Sequence, residues 1–252
     1  EGNQNRADWG GLIINGRAPL NAPGGEQEGE GDTGWYGGGD NPDPHDNSGI
    51  LNYVRVEYAG YEISADNELN GIAFQAVGDA TVVDYIQVHM NKDDGVEFFG
   101  GTVNAKHVYV TGAADDSFDW TDGWTGMGQF WVCQQYADYC DQCIEADNSE
   151  EQHDAVPFSN PTIYNLTLIG AMNDDTGERD IGILLRHGTN ATIKNAIVHN
   201  FGDAAIDIDN PVTFAHADDG LTVDNSIFYG NHVTFKEDSI DLADEDFTVE
   251  QF

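Results

Sequence analysis

The stretch DYIQVHMNKDDGVEFFGGTVNAKHVYVTGAADDSFDW, residues 84–120, repeats itself: its GVEF at Gly95 returns 22 residues later as SFDW at Ser117. The same apolar-x-apolar piece begins at Gly71 (GIAF), Cys143 (CIEA), Gly182 (GILL), Ala205 (AIDI) and Ser239 (SIDL). A second piece recurs behind each: LNYVRV from Leu51, VDYIQV from Val83, AKHVYV from Ala105, MGQFWV from Met127, IYNLTL from Ile163, IKNAIV from Ile193 and VDNSIF from Val223. Alternation of apolar and polar residues in these pieces is the period-two mark of a half-buried strand. From Ala105 to Met127 the step is again 22 residues. Strands returning at one fixed step, without helical periodicity between them, make a solenoid whose coils bury a continuous core against their neighbours. The fold expected is all-β: a right-handed, single-stranded parallel β-helix in one domain over residues 1–252.

Longer steps mark loops that leave the stack at a corner. Cys143 and Gly182 are 39 residues apart, and the excess lies in the insertions at 146–161 and 171–180, both rich in turn formers. Residues 23–49, with GEGDTGWYGGGDNPDPHDNSG, read as an irregular Gly/Asp-rich loop, anchored by Trp35 and Tyr36 packing onto the solenoid. WGGLIING from Trp9 reads as the first strand of the stack, and helices are expected to be few or none. The chain starts at Glu1 without an apolar leader, as a processed product would, and capping of the stack is expected from further sequence or from a neighbouring molecule.

Charge narrows the partners. Nine Lys and Arg stand against 46 Asp and Glu, a formal charge of −37, so the field around the molecule repels phosphate and argues against nucleic acid. Adaptation to high salt and specific Ca²⁺ sites both account for the imbalance. No apolar run is long enough to span a bilayer. Three cysteines, Cys133, Cys140 and Cys143, allow one internal disulfide with a thiol left over. His89, His107, His199 and His232 are too scattered for a metal site, and the sequons at Asn165 and Asn190 fall in expected strands.

The succession WGGLIINGRAP, DNSGILNYVRVEYAG, ELNGIAFQAVG, residues 84–120 and CIEADN resembles a family of secreted or lipid-anchored, pectin-lyase-like β-helix proteins of marine Gram-negative bacteria, some of them surface-layer-like. The likeness runs from about Trp9 to about Asn210. It implies the fold and a place outside the cell or on its outer surface; it implies no catalytic mechanism.

Chemistry concentrates on one repeat position. Stacked coils set equivalent residues about 4.8 Å apart, and the middle of the motif is Ala73, Glu97, Asp119, Glu145, Leu184, Asp207 and Asp241. Val96, Phe98, Phe118 and Trp120 are expected to point inward, which throws Glu97 and Asp119 outward. Asp93, Asp94, Asp115 and Asp116 occupy the preceding corner, and Asp147 follows. Like charges that close need a cation or hydrogen bonds between them. The candidate ligands for Ca²⁺ are therefore Asp93, Asp94, Glu97, Asp115, Asp116, Asp119, Glu145 and Asp147; a merely solvated acidic face is the simpler reading of the same residues.

A catalytic reading uses the same strip. Asp115-Asp116-Ser117 is similar to the paired-aspartate strand of polygalacturonase-type glycosidases, and the resemblance implies Asp94, Asp115, Asp116, Arg186 and His187 as a hydrolytic set. The Gly-His-Gly and Arg-x-Lys of those enzymes have only Arg186-His187-Gly188 as a partial counterpart. A lyase would draw its base from Lys92, Lys106 or Arg186. Trp120, Trp124 and Tyr136 are candidates for stacking sugar rings, against core packing as the alternative. The reading taken forward is an extracellular, non-catalytic structural or interaction protein that is Ca²⁺-stabilised and packs against itself or other cell-surface components; the alternative is a polysaccharide-active enzyme.

Overall fold

The computed structural model describes residues 4–64, 67–172, 180–218 and 220–237. In chain order its strands are β1 (Leu12–Asn15), β2 (Glu26–Glu28), β3 (Trp35–Gly37), β4 (Ile50–Glu57), β5 (Ile72–Gln75), β6 (Val82–His89), β7 (Val96–Phe99), β8 (Asn104–Thr111) and β9 (Phe118–Thr121). There follow β10 (Met127–Gln134), β11 (Gln142–Ala146), β12 (Thr162–Ile169), β13 (Ile181–Leu185), β14 (Thr192–His199), β15 (Ala204–Ile208), β16 (Thr222–Asp224), β17 (Ile227–Tyr229) and β18 (Val233–Glu237). One parallel sheet runs β1-β5-β7-β9-β11-β13-β15-β18; a second runs β4-β6-β8-β10-β12-β14-β16, with β17 also beside β14. Each coil gives one strand to each sheet, as the right-handed parallel β-helix requires.

In-register pairing confirms the repeat and corrects its last copy. Ile13, Ala73, Glu97, Asp119, Glu145, Leu184, Asp207 and Lys236 stand side by side across the first sheet. The rung beyond Asp207 is thus Lys236, whose Nζ lies 2.8 Å from Asp203 and 3.6 Å from Asp207. SIDL at Ser239 lies outside the described residues, as does most of the insertion at 171–180.

The second-sheet strands do not alternate simply. Their fourth residue is Tyr53, Tyr85, His107, Phe130, Asn165 or Asn195, each with φ between 52° and 63°, and the register skips it. Burial shifts phase there: in β6, Val83, Ile86 and Val88 are buried, three apart and then two. A left-handed residue bends each strand at mid-length, and the strained positions form a row. Tyr53 stacks on Tyr85 at 4.8 Å, Tyr85 on His107 at 4.2 Å and His107 on Phe130 at 5.1 Å, which helps offset the strain. The histidines have partners: His107 Nδ1 is 2.8 Å from Asp84 and His89 Nδ1 is 2.7 Å from Thr111 Oγ1.

Between the sheets Phe74, Phe98 and Trp124 stack at 5.2 and 4.2 Å, and Phe118 lies 4.7 Å from Trp131. Gly71, Gly95 and Gly182 open their strands where a Cβ would stand 2.5–2.6 Å from a methyl of Val88, Val110 or Val198, so the corner accepts no side chain there. Cys133 of β10 and Cys143 of β11 form a disulfide between the two sheets, and Cys140 is the buried free thiol.

Residues 23–49 are more regular than expected. β2 and β3 pair as a short antiparallel hairpin around a 3₁₀ turn at Glu30–Asp32. Tyr36 is buried against Phe99 and Leu20, as expected, but Trp35 on the other face of β3 is 64% exposed. The insertion at 146–161 is tied down by fully buried Asn148, whose Nδ2 donates to the carbonyls of His153 and Ala155 and whose Oδ1 accepts from the Ser159 amide at 2.8 Å. A short helix, α1 (Pro211–His216), follows β15. No helix among the described residues is long and apolar enough to cross a membrane.

Candidate functional site: a buried carboxylate strip

Val96, Phe98, Phe118 and Trp120 point into the core with no exposed surface, so Glu97 and Asp119 take the other side of the first sheet. Two corner rows flank them. Asp94 and Asp116 accept main-chain hydrogen bonds from the next coil, Asp94 Oδ1 from the Asp116 amide at 3.0 Å and Asp116 Oδ1 from the Gln142 amide at 2.6 Å. One residue earlier stand Asp93, Asp115 and Asp141.

Carboxylate oxygens converge in four overlapping groups, within each of which one oxygen per residue lies within 4.8 Å of the others: Asp93 with Asp94 and Asp115, Asp94 with Glu97 and Asp119, Asp115 with Asp116 and Asp141, and Asp116 with Asp119 and Glu145. Seven of the eight acidic residues read from the sequence belong to this strip. The eighth, Asp147, does not join these groups: its Oδ1 accepts from Arg186 Nε and its Oδ2 faces His187 Nδ1, both at 2.9 Å, while Arg186 Nη2 also reaches Glu145. Both Asp147 oxygens are thus engaged by cationic or ring nitrogens, a poor state for a metal ligand.

Burial, followed by mutual repulsion, holds these groups toward their neutral forms. Asp94, Glu97, Asp116 and Asp119 are pushed well above the ordinary carboxylate range, by desolvation first and then by their acidic neighbours. Desolvation takes Asp93 to about 7, with Asp115 adding to it; Glu145 rises to about 8 by burial although Arg186 opposes the rise. Oδ1 of Asp119 is buried without a hydrogen-bond partner. Two cavities open beside the strip. One, about 790 Å³, is lined by Arg6, Glu68, Asp93, Asp115 and Asp141; the other, about 540 Å³, by Gln27, Glu97, Asp119, Glu145 and Arg186.

Two of the three sugar-stacking candidates, Trp120 and Trp124, are corrected. Trp120 and Trp124 are wholly buried in the aromatic core, their indole N–H groups given to Thr189 Oγ1 and the Val103 carbonyl, so neither offers a ring face. Tyr136 is half-buried, its ring nearly perpendicular to that of His89 with centroids 6.3 Å apart. The hydrolytic set is brought together only in part: Asp94 and Asp116 are buried, Asp115 is exposed, and Arg186 and His187 belong to the Asp147 cluster. Sequence reading missed Asp141, although it precedes Gln142 as Asp115 precedes Asp116. It also missed Glu30, whose carboxylate rises to about 8 by burial and which sits in an insertion that carries no repeat.

The sheets, the coil register and the acidic rows define a right-handed parallel β-helix protein with a carboxylate-lined face. The description "pectate-lyase like beta helix domain" matches residues 1–251, and the chain belongs to that family. No curated protein and no solved structure matches it.

Proposed function

We propose that this chain is an extracellular, non-catalytic β-helix that binds Ca²⁺ along its carboxylate strip and acts at the outer cell surface, packing against copies of itself or other surface components in a salt-rich, marine setting. One observation carries the reading: in each of four overlapping sets of three acids, one carboxylate oxygen per residue lies within 4.8 Å of the others. Two ligands of one Ca²⁺, each at about 2.3–2.6 Å, are at most about 5 Å apart, so that spacing suits a dehydrated ion and leaves no room for a sugar ring. Hard divalent cations would be held by Asp94, Glu97 and Asp119 and by Asp116, Asp119 and Glu145, and they would compensate charge that burial otherwise makes costly. Exposed apolar groups along the second sheet, Ile50, Tyr53, Met127 and Phe130, support a contact surface.

A polysaccharide-active enzyme is the second reading, favoured by Glu145. This acid, raised to about 8 by burial, lines the 540 Å³ cavity together with Asp147, the pairing of a proton donor with a second carboxylate that glycoside hydrolysis uses. Melting in EGTA and then in excess CaCl₂, with particle size followed by light scattering, separates the two. Calcium at about 100 times its Kd should add about 2.7 kcal/mol, which raises Tm by about 5–10 °C at this chain length, with larger particles forming. An unchanged Tm and a monodisperse monomer in both would sink the calcium reading and turn attention to hydrolysis.

A further inference from the structure

The 3₁₀ turn Glu30–Asp32 reaches over the first sheet, and one side chain joins it to the strip. Asn70, 1% exposed, directs Nδ2 at two carboxylates, Glu30 Oε2 at 3.1 Å and Glu97 Oε2 closer still. Its Oδ1 is buried and has no partner. Beneath the same turn Gln75, fully buried, has neither amide atom paired, and its Oε1 lies 2.4 Å from where a Cβ on Gly29 would stand, so the turn seats directly on it. The turn is also latched from the side, where the Gly31 amide donates to Asn67 Oδ1 at 2.7 Å. Two acids brought together across a single amide, over orphaned amide oxygens, is an unfavourable seat for a lid, because each buried unpaired polar atom carries a desolvation penalty.

A half-turn of the Asn70 amide exchanges its two ends. Oδ1 would then face Glu30 and Glu97, an arrangement repulsive by itself and suited to a hard cation, which takes carboxylate and amide oxygens alike. We propose that Glu30, Asn70 Oδ1 and Glu97 form a divalent-cation site, Ca²⁺ in class, that fastens the β2–β3 hairpin over the carboxylate strip. This rests on the reading of the strip as cation-binding, yet its ligands differ: Glu30 and Asn70 lie outside the four carboxylate groups. Gln75 stands by as a further oxygen donor next to the turn.

Hydrogen exchange of the full chain, read by mass spectrometry over residues 26–37 in EGTA and in CaCl₂, tests it. Calcium should slow exchange there by about ten-fold or more in the wild type. Glu30→Gln should lose that slowing and keep the calcium-induced rise in Tm that belongs to the strip. Asn70→Asp separates ligand from hydrogen-bond donor: it should leave residues 26–37 fast-exchanging in EGTA and restore slow exchange in CaCl₂, because an oxygen is retained. Slowing in wild type that is equal with and without calcium, or that survives Glu30→Gln, overturns the lid site even if Tm still responds to calcium. Asn70→Asp that exchanges fast in both conditions overturns it as well. Loss of every calcium effect, in Tm and in exchange, removes the strip reading and the lid site together.

Discussion

Stripped of divalent ions, the protein should melt higher at pH 5 than at pH 8. Most proteins owe acid lability to carboxylates whose folded pKa is depressed, and the strip is the opposite case. Asp93 sits at about 7 and Glu145 and Glu30 at about 8 in the folded chain, against about 4 when unfolded. Between those limits the folded state binds more protons than the unfolded state, so stability falls as pH rises through the window from about 4 to about 8. The burial of Asp122, which holds it at about 6, acts in the same direction. Each excess proton is worth at most about 1.4 kcal/mol per pH unit, and a few of them shift Tm by about 5 °C or more at this size. Sharing the experiment with molar NaCl isolates the cause: general repulsion from the charge of −37 is screened, whereas desolvation of buried acids persists. Saturating calcium should flatten or invert the slope, since the ion binds the deprotonated ligands. A metal-free Tm that falls steadily from pH 8 to pH 5 would contradict the electrostatics of the strip.

Asp119→Asn should change sign with calcium. Asp119 belongs to two of the four oxygen groups and has an unpartnered buried oxygen, and its acidity is suppressed by burial and then by Glu145 and Asp147. In EGTA at pH 8 the neutral, nearly isosteric amide removes the cost of burying an acid that is ionised in the unfolded chain and should raise Tm by a few degrees. In CaCl₂ it removes a ligand shared by both groups, and an affinity loss of about ten-fold or more costs at least about 1.4 kcal/mol, or about 3–5 °C. Thermal melts of the two proteins in both buffers check this. A shift of the same sign in both buffers would make Asp119 an ordinary packing residue.

How far the sequence revealed these features depends on what each imposes locally. The coil stack was legible because GVEF and SFDW recur at one step and their inward residues are large and apolar; the acidic strip followed from the same register. The bend in each long strand was not, since Tyr85 and Phe130 are β-formers with no local sign of positive φ. Stacking along the axis, a contact between coils, supports them there. Trp120 falls at an inward position of SFDW, so its burial follows from the repeat, but Trp124 lies in a WTDGWTG turn that suits a surface loop as well as a buried corner, and the difference is made by the Val103 carbonyl one coil away. Glu30 belongs to a segment without repeats, so only the folded hairpin could place it beside Glu97. Lys236 took the rung beside Asp207 because the last steps of the chain vary in length, and a motif match alone fixes no register.

Calorimetric titration with CaCl₂ in molar NaCl tests the cation strip most directly, with Asp119→Asn as the control. A saturable heat at a defined stoichiometry, which persists in NaCl and weakens about ten-fold or more in the variant, is the result expected of oxygens converging within 4.8 Å. A heat that vanishes in NaCl, or one identical in wild type and Asp119→Asn, would mean that the strip is only a screened acidic face.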